Sequence, residues 1–424
     1  MKILLGFGQE GFEIEIDDKN ILDIVESKKS VPVKDPKQAI KNSILNPIGC
    51  VPLKEKIRGK EKICIVISDS TRAVPTKLIL ETILPEIESY KIKKEQITIL
   101  IATGLHRPNL GEELEKLIGK EIAQNYKVIN HYARDKETNE FIGKTKRGTP
   151  VIIDKTYLES DFRILTGLIE PHFMAGFSGG RKAICPGISY MDMFKHFHGP
   201  EILESPFATN LVLENNPFHM ESTEIAKMAG VDFIVNVTIN KNKEITAVFS
   251  GELEAAFLEG ASFCREHSTY KIKEEADIVI TSGGGLPLDA TLYQTVKGMV
   301  AAMPAVKQGG MMIAVSECNE EFGGPEFTDI MTSESDLESF MEKIKDPEFF
   351  VIDQWQLEEL IKAKRKAELF LYSPCVLASR HKVPAPTLKI LKSIQEAIDI
   401  GLKKFGPDAK ITVIPEGPYV IPVI

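Results

Sequence analysis

The stretch KICIVISDSTR, residues 62–72, decides the architecture: an apolar, β-branched run ends abruptly in an acid, two hydroxyls and an arginine. Such a run reads as a strand buried on both faces, the pattern of a parallel sheet covered by helices. The same event recurs along the chain. QITILIATG (96–104) runs into Leu-His-Arg-Pro and DFRILTGLIE (161–170) into Pro-His. ADIVITSGGG (276–285), MMIAVSE (311–317), ELFLYS (368–373) and KITVIPEG (410–417) follow. Helical patterns lie between them, so the chain reads as βαβ units of the α/β class. Residues 1–16, with the alternating FEIEI, read as a half-buried strand.

At about 150 residues per domain, 424 residues imply two to three domains. Residues 252–275 read as a long helix leading to a fresh strand, which predicts a boundary near 270. The expectation is an N-terminal domain over 1–270 and a C-terminal one over 271–424. Each is built on a mainly parallel sheet flanked by helices, with the active site in the cleft between them. A helix near 386–405 is expected to pack back on the first domain.

Lys plus Arg number 52 and Asp plus Glu 61, a net charge of −9 without a basic stripe. That excludes nucleic acid, whose binding rests on phosphate neutralisation, and suits small-molecule work. KAKRK (362–366) reads as a solvated helix face. Six cysteines, at 50, 64, 185, 264, 318 and 375, show no CxxC spacing, hence neither zinc signature nor disulfide framework. With no stretch near the ~18 apolar residues of a membrane span, and too short an apolar run at the start for a signal peptide, a cytoplasmic protein is expected.

Open parallel sheets bind ligands beyond the carboxyl ends of their strands. His106 and His172 fall there, and a histidine pair can remove a proton on one face and return it on the other. TGLIEPHFMAGFSGGRKAICPG (166–187) resembles a phosphate-binding P-loop, but Arg181 stands where the second Gly belongs and Ala183 where Mg²⁺ needs a hydroxyl. A nucleoside-triphosphatase is disfavoured, while the backbone of Ser178, Gly179 and Gly180 remains a candidate phosphate cradle. In His196-Phe197-His198 at most one imidazole suits a metal. Arg72 suits a carboxylate, and Tyr293 and Lys297, at i and i+4, share a helix face. Packed histidines, a surface arginine, a snorkelling lysine and a core tryptophan at Trp355 account for these residues equally well. The residues alone thus leave an α/β enzyme for a carboxylate substrate, without a reaction.

Taken together, NPIG (46–49), SDSTRAVP (68–75), ATGLHRP (102–108), EPHFMAGFSGGRK (170–182), ENNPFH (214–219), PLDATLYQTVKGM (287–299), DQW (353–355) and ITVIPEG (411–417) resemble the nickel-pincer lactate racemase family along nearly the whole chain. The resemblance implies an isomerase that inverts C2 of a 2-hydroxy acid by proton-coupled hydride transfer. It implies a nickel pyridinium-3-thioamide-5-thiocarboxylic acid mononucleotide attached covalently at Lys182, with His198 as the protein ligand to nickel. His106 and His172 would be the acid/base pair, and Arg72 and Lys297 would hold the substrate carboxylate. Tyr293, Gln294 and Trp355 match further positions on the substrate side and Asp69 one on the cofactor side. Separate cofactor-synthesis and nickel-insertion enzymes are implied as partners.

Three places depart from the lactate-specific pattern. Ser70 replaces a His in S-D-H-T-R, Ser282–Pro287 lacks an amide and an aromatic, and Asn319–Pro325 lacks a Gly-His-Gly-Gly segment. They predict the same chemistry on a 2-hydroxy acid other than lactate, with lactate racemase proper as the alternative. A non-catalytic ligand-binding homologue predicts loss of Lys182, His198, His106 or His172, and all four are present. A phosphate-dependent transferase lacks its Mg²⁺ ligand.

Overall fold

The computed structural model describes residues 1–346, 348–384 and 386–424. Its main strands begin with β1 (Ile21–Ile24), β2 (Ile63–Ser68), β3 (Ile97–Ala102), β4 (Lys127–Asn130), β5 (Phe162–Leu168) and β6 (Phe233–Ile239). They continue with β7 (Ile245–Gly251), β8 (Ala276–Ser282), β9 (Val306–Val315), β10 (Ala367–Tyr372), β11 (Lys389–Leu391) and β12 (Ile411–Ile414). Two compact units result. A central unit comprises residues 29–198 and 206–266, and a terminal unit comprises 1–28, 199–205 and 267–424.

The central sheet runs β7-β6-β5-β2-β3-β4, parallel throughout except for the β7 edge. In β2 every residue before Ser68 is buried, as its unbroken apolar run requires. Helix α1 (Thr76–Ser89) covers one face with Ile79, Leu80, Ile83, Leu84 and Ile87, one apolar stripe at helical spacing. Helix α2 (Leu253–Ser268) closes the unit's sequence.

The terminal sheet runs β11-β10-β9-β8-β12-β1 and is parallel throughout. Its helices include α3 (Leu292–Ala302), α4 (Gln354–Lys366) and α5 (Ile394–Phe405). Two expectations change here. The first 28 residues, placed by the sequence in the N-terminal domain, belong to the terminal unit, because β1 extends its sheet beside β12. The expected crossing helix at 386–405 is instead strand β11 followed by α5. Ser393 caps that helix from the Glu396 N–H at 3.2 Å, and Ile394, Ala397 and Ile398 pack into the terminal unit's own core with Ile278 and Met311.

The order in which strands are added reverses between β2 and β5 in the central sheet and between β8 and β12 in the terminal one, all four strands staying parallel to their neighbours there. Such switch points leave a crevice beyond the strand ends. In the terminal unit the chain fills it: the Gly6 N–H donates to the Pro415 carbonyl at 2.8 Å and the Gly8 N–H to Asp289 Oδ2 at 2.7 Å. A Cβ on Gly6 would lie 2.9 Å from the Gly284 carbonyl carbon. The Ser282–Gly285 glycines therefore permit backbone packing. The central crevice is where the candidate residues gather. The six cysteines form no disulfide, and among the described residues no helix is long and apolar enough to cross a membrane.

Candidate active site

Three neighbouring strands of the central sheet deliver the residues. β2 ends in Asp69–Arg72, β3 leads to Thr103–His106, and β5 leads to Ile169–His172. Asp69 is buried, and its Oδ2 lies 2.7 Å from His106 Nδ1, while Oδ1 accepts the Thr71 hydroxyl at 2.7 Å. Burial alone would raise the Asp69 carboxyl. The His106 hydrogen bond and charge, with Arg72 and the Thr71 hydroxyl, outweigh it and hold the group below its ordinary value. Asp69 thus stands behind His106, whereas the sequence resemblance placed it beside the cofactor. Arg72 donates to the Thr71 hydroxyl at 3.1 Å, so it sits on the same loop.

His172 is oriented differently. Its Nδ1 accepts the backbone N–H groups of Met174 and Ala175, each at 3.2 Å. An amide only donates, so in the neutral ring the proton sits on Nε2. His106 has the opposite polarity, since a carboxylate partner accepts from Nδ1–H and leaves the Nε2 lone pair.

Lys182 and His198 meet around Phe218, a residue that sequence reading did not single out. Lys182 Nζ lies 4.9 Å over the Phe218 ring, His198 packs on its edge at 5.2 Å, and His172 is 6.3 Å away. His198 is buried and stacks on Phe194 at 5.4 Å, while His196 lies exposed. Burial, with the Lys182 charge nearby, pushes the His198 imidazolium well below its ordinary range, so the ring is held neutral as a metal ligand needs to be. Arg181, the residue that spoiled the P-loop pattern, is buried and braces the turn. It donates to the Ala175 carbonyl at 2.7 Å and lies 4.2 Å over the Phe257 ring.

The expected phosphate cradle is largely taken up by the protein's own bonds. The Ser178 N–H donates to the Glu170 carbonyl at 2.9 Å and the Gly180 N–H to Asn236 Oδ1 at 2.7 Å, which removes two of its expected donors. Gly179, at φ +86°, is required by close approach: a Cβ there would lie 2.7 Å from Asn236 Oδ1.

Ser70 also has structural partners. Its hydroxyl donates to Glu113 Oε1 at 3.1 Å and accepts from Asn109 Nδ2 at 2.8 Å. Bonds from Arg107 and Asn109, with the Ser70 hydroxyl, hold Glu113 down to about 2. This network ties the loops after β2 and β3 together. Asn109 is buried and Glu113 half-buried on the segment that follows β3, and nothing in their spacing announces the link.

In the terminal unit, Thr291 caps α3 from the Gln294 N–H at 3.2 Å. Tyr293 and Lys297 follow one turn apart on α3. Trp355, buried on α4, donates from Nε1 to the Tyr293 hydroxyl at 2.9 Å. Gln294 Oε1 is buried without a hydrogen-bond partner. The structure thus brings Tyr293 and Trp355 together, with Gln294 and Lys297 beside Tyr293 on one helix.

The chain matches the lactate racemase N-terminal domain over residues 7–209 and the lactate racemase C-terminal domain over residues 272–422. It is 36% identical to a lactate racemase of Thermoanaerobacterium thermosaccharolyticum, over 99% of this chain and 98% of that protein. It is 33% identical to a lactate racemase of Lactiplantibacillus plantarum, over 98% of each. The solved lactate racemase apoprotein from T. thermosaccharolyticum superposes with a TM-score of 0.93 at 35% identity, covering all of both chains. A Thermotoga maritima protein shares the fold at TM-score 0.70 and 18% identity, over 93% of this chain and all of that one. With strand-end histidines, a lysine-bearing glycine turn and these relatives in agreement, the chain belongs to the lactate racemase family and is a racemase.

Proposed function

We propose that this racemase inverts C2 of a 2-hydroxy acid using a nickel-pincer pyridinium mononucleotide attached at Lys182. The observation that carries the proposal is the Asp69–His106 contact of 2.7 Å at the central switch point, with His172 at the neighbouring strand end. The residues suit the group. His198 offers a buried neutral nitrogen, and Lys182 shares the Phe218 ring with it. Among the described residues no three His, Cys, Asp or Glu gather as a metal site, and the pincer group that the family resemblance implies would bring donors of its own beside His198. When bound, that group supplies a two-electron acceptor for the hydrogen on C2.

The chain's own residues handle the protons and the carboxylate. His106 Nε2 takes the 2-hydroxyl proton, and the Asp69 carboxylate stabilises the imidazolium that forms. As the O–H and C2–H bonds break, the substrate becomes a planar 2-keto acid. Arg72 holds its carboxylate while it turns its other face, with Lys297 the second cation that the family resemblance implies. His172, entering the step as the imidazolium with its ring released from the Met174 and Ala175 amides, returns a proton from Nε2 and ends neutral. For the opposite enantiomer the two histidines exchange roles.

Two of the three departures from the lactate-specific pattern serve the protein's own structure. Ser70 is held by Asn109 and Glu113, and the Ser282–Gly285 segment packs on the chain's own start. The segment Asn319–Pro325, exposed at Asn319, Glu320 and Gly323–Pro325, still supports a substrate other than lactate. A chiral panel that includes lactate, run on cofactor-loaded protein, tests both statements. Inversion of one or more 2-hydroxy acids is expected, and inversion of none would refute the function.

A further inference from the structure

The central unit contains a second buried histidine–carboxylate pair that the proposed chemistry does not use. His131 follows β4 and its side chain has no exposed surface. Nδ1 lies 3.0 Å from Asp154 Oδ2, and Nε2 lies 3.1 Å from the Ser189 carbonyl oxygen. A carbonyl only accepts, so Nε2 carries a proton. The Nδ1–Oδ2 contact then holds a second one, either on the ring beside a carboxylate or on the acid beside a neutral ring. Asp154 is engaged on its other atoms as well. Its Oδ1 accepts the Thr156 N–H at 2.9 Å, and its N–H donates to the Ile188 carbonyl at 3.1 Å.

These bonds join two loops of the candidate site. The Ser189 hydroxyl donates to the Ile184 carbonyl at 2.9 Å, and the Gly187 N–H to the Lys182 carbonyl at 3.1 Å, so the His131 ring grips the segment that carries Lys182. On its backbone side, the His131 carbonyl accepts the buried Thr103 hydroxyl at 2.6 Å. The His106 N–H donates to the Thr103 carbonyl at 2.9 Å, and the Gly104 N–H to the Gly187 carbonyl at 3.0 Å. One residue therefore braces both the loop holding the acid/base histidine and the loop holding the attachment lysine, and a hydrogen bond between the loops closes the circuit.

We propose that His131, with Asp154, is a positioning residue of the racemase that fixes the His106 and Lys182 loops relative to each other. Its side chain has no exposed surface through which to touch substrate or cofactor. The proposal rests on the function assigned above to His106 and Lys182. An error of an ångström between acid/base group and cofactor costs orders of magnitude in rate while leaving ground-state binding nearly intact, so the signature is in kcat.

Two conservative variants separate the arms. In His131→Gln the amide nitrogen replaces Nε2 and keeps the Ser189 bond. In His131→Asn it replaces Nδ1 and keeps only Asp154. On cofactor-loaded protein, His131→Asn is expected to lower kcat by at least about tenfold with KM within about twofold, and His131→Gln to recover to within about threefold of wild type. Amide exchange gives a readout independent of activity. In His131→Asn, peptides covering 103–107 and 182–190 exchange at least about tenfold faster while the β2 peptide keeps its protection. Equal losses in both variants, or protection lost uniformly, would mean ordinary core destabilisation and overturn the proposal. So would unchanged exchange in the two loops. If loaded wild-type protein inverts nothing, the assigned function fails, and the exchange comparison still decides whether His131 couples the loops.

Discussion

Replacing Asp69 by Asn keeps the shape of the strand-end loop and removes one charge. In the wild-type protein the buried carboxylate sits 2.7 Å from His106 Nδ1 and is held ionised by that contact. A charge-assisted hydrogen bond of this kind contributes about 1.5–3 kcal/mol, which by itself sets a loss of about ten- to a hundredfold when the imidazolium forms. The amide adds a second effect. Its NH₂ can donate to Nδ1, which moves the ring proton to Nε2 and removes the lone pair that takes the substrate proton. General base catalysis contributes about 10²–10⁴-fold, so kcat is expected to fall by about 10³-fold, or about 4 kcal/mol. The assay is the initial rate of inversion by chiral chromatography, in both directions, on equally loaded wild-type and Asp69→Asn protein. The sign of the pH dependence follows from the lowered carboxyl. Its stabilising contribution is present above the ordinary carboxylate value and is lost as pH falls through the lowered one, so the variant forfeits it near neutral pH, and a melt at the assay pH separates lost folding from lost rate. A variant within about threefold of wild type would show that Asp69 does not orient His106, and the acid/base assignment would fall with it.

Three further outcomes are expected. Ser70→Ala removes the bonds to Asn109 and Glu113 and should cost about 1–2 kcal/mol in a urea melt without reordering the substrate panel; a changed preference would return Ser70 to the substrate pocket. Glu358, buried on α4 with both oxygens unpartnered, is pushed well above the carboxylate range by burial and by the charges of Glu359 and Glu204. The wild-type chain therefore loses stability as pH rises from the unfolded value towards the raised folded one, so Glu358→Gln should raise the melting temperature more at pH 8 than at pH 5, and an equal or opposite shift would show that the acid is not neutral in the fold. His198→Ala should abolish nickel retention on gel filtration while leaving the Lys182 adduct detectable by intact mass; retained nickel would place the metal ligand elsewhere.

The strands were legible because burial on both faces demands uninterrupted apolar runs, and Ile63–Ile67 and Ile278–Ile280 supply them. His106 and His172 were legible for the same reason, since each follows a readable strand end. What escaped depends on residues far apart in sequence. Asp69 and His106 are 37 residues apart, and His131 reaches Ser189 across 58. β1 escaped because Ile21–Ile24 is four residues long and takes its place only when β12, nearly 400 residues later, provides an edge. The glycines at 283–285 resemble a ligand loop, yet contact with Gly6 and Tyr419 shows what their missing side chains accommodate. Ser178 and Gly180 misled in a related way. A glycine-rich turn advertises free N–H groups, but Glu170 and Asn236 accept them.

The most direct test of the central claim is the intact mass and nickel content of protein co-expressed anaerobically with cofactor-synthesis enzymes, set beside Lys182→Ala and paired with chiral assay of the same sample. The expected result is an adduct of mononucleotide size and bound nickel in the wild-type protein, both absent from the variant, with inversion of a 2-hydroxy acid by the wild type alone. Inversion that persists in Lys182→Ala, or a loaded preparation with neither adduct nor activity, would contradict it.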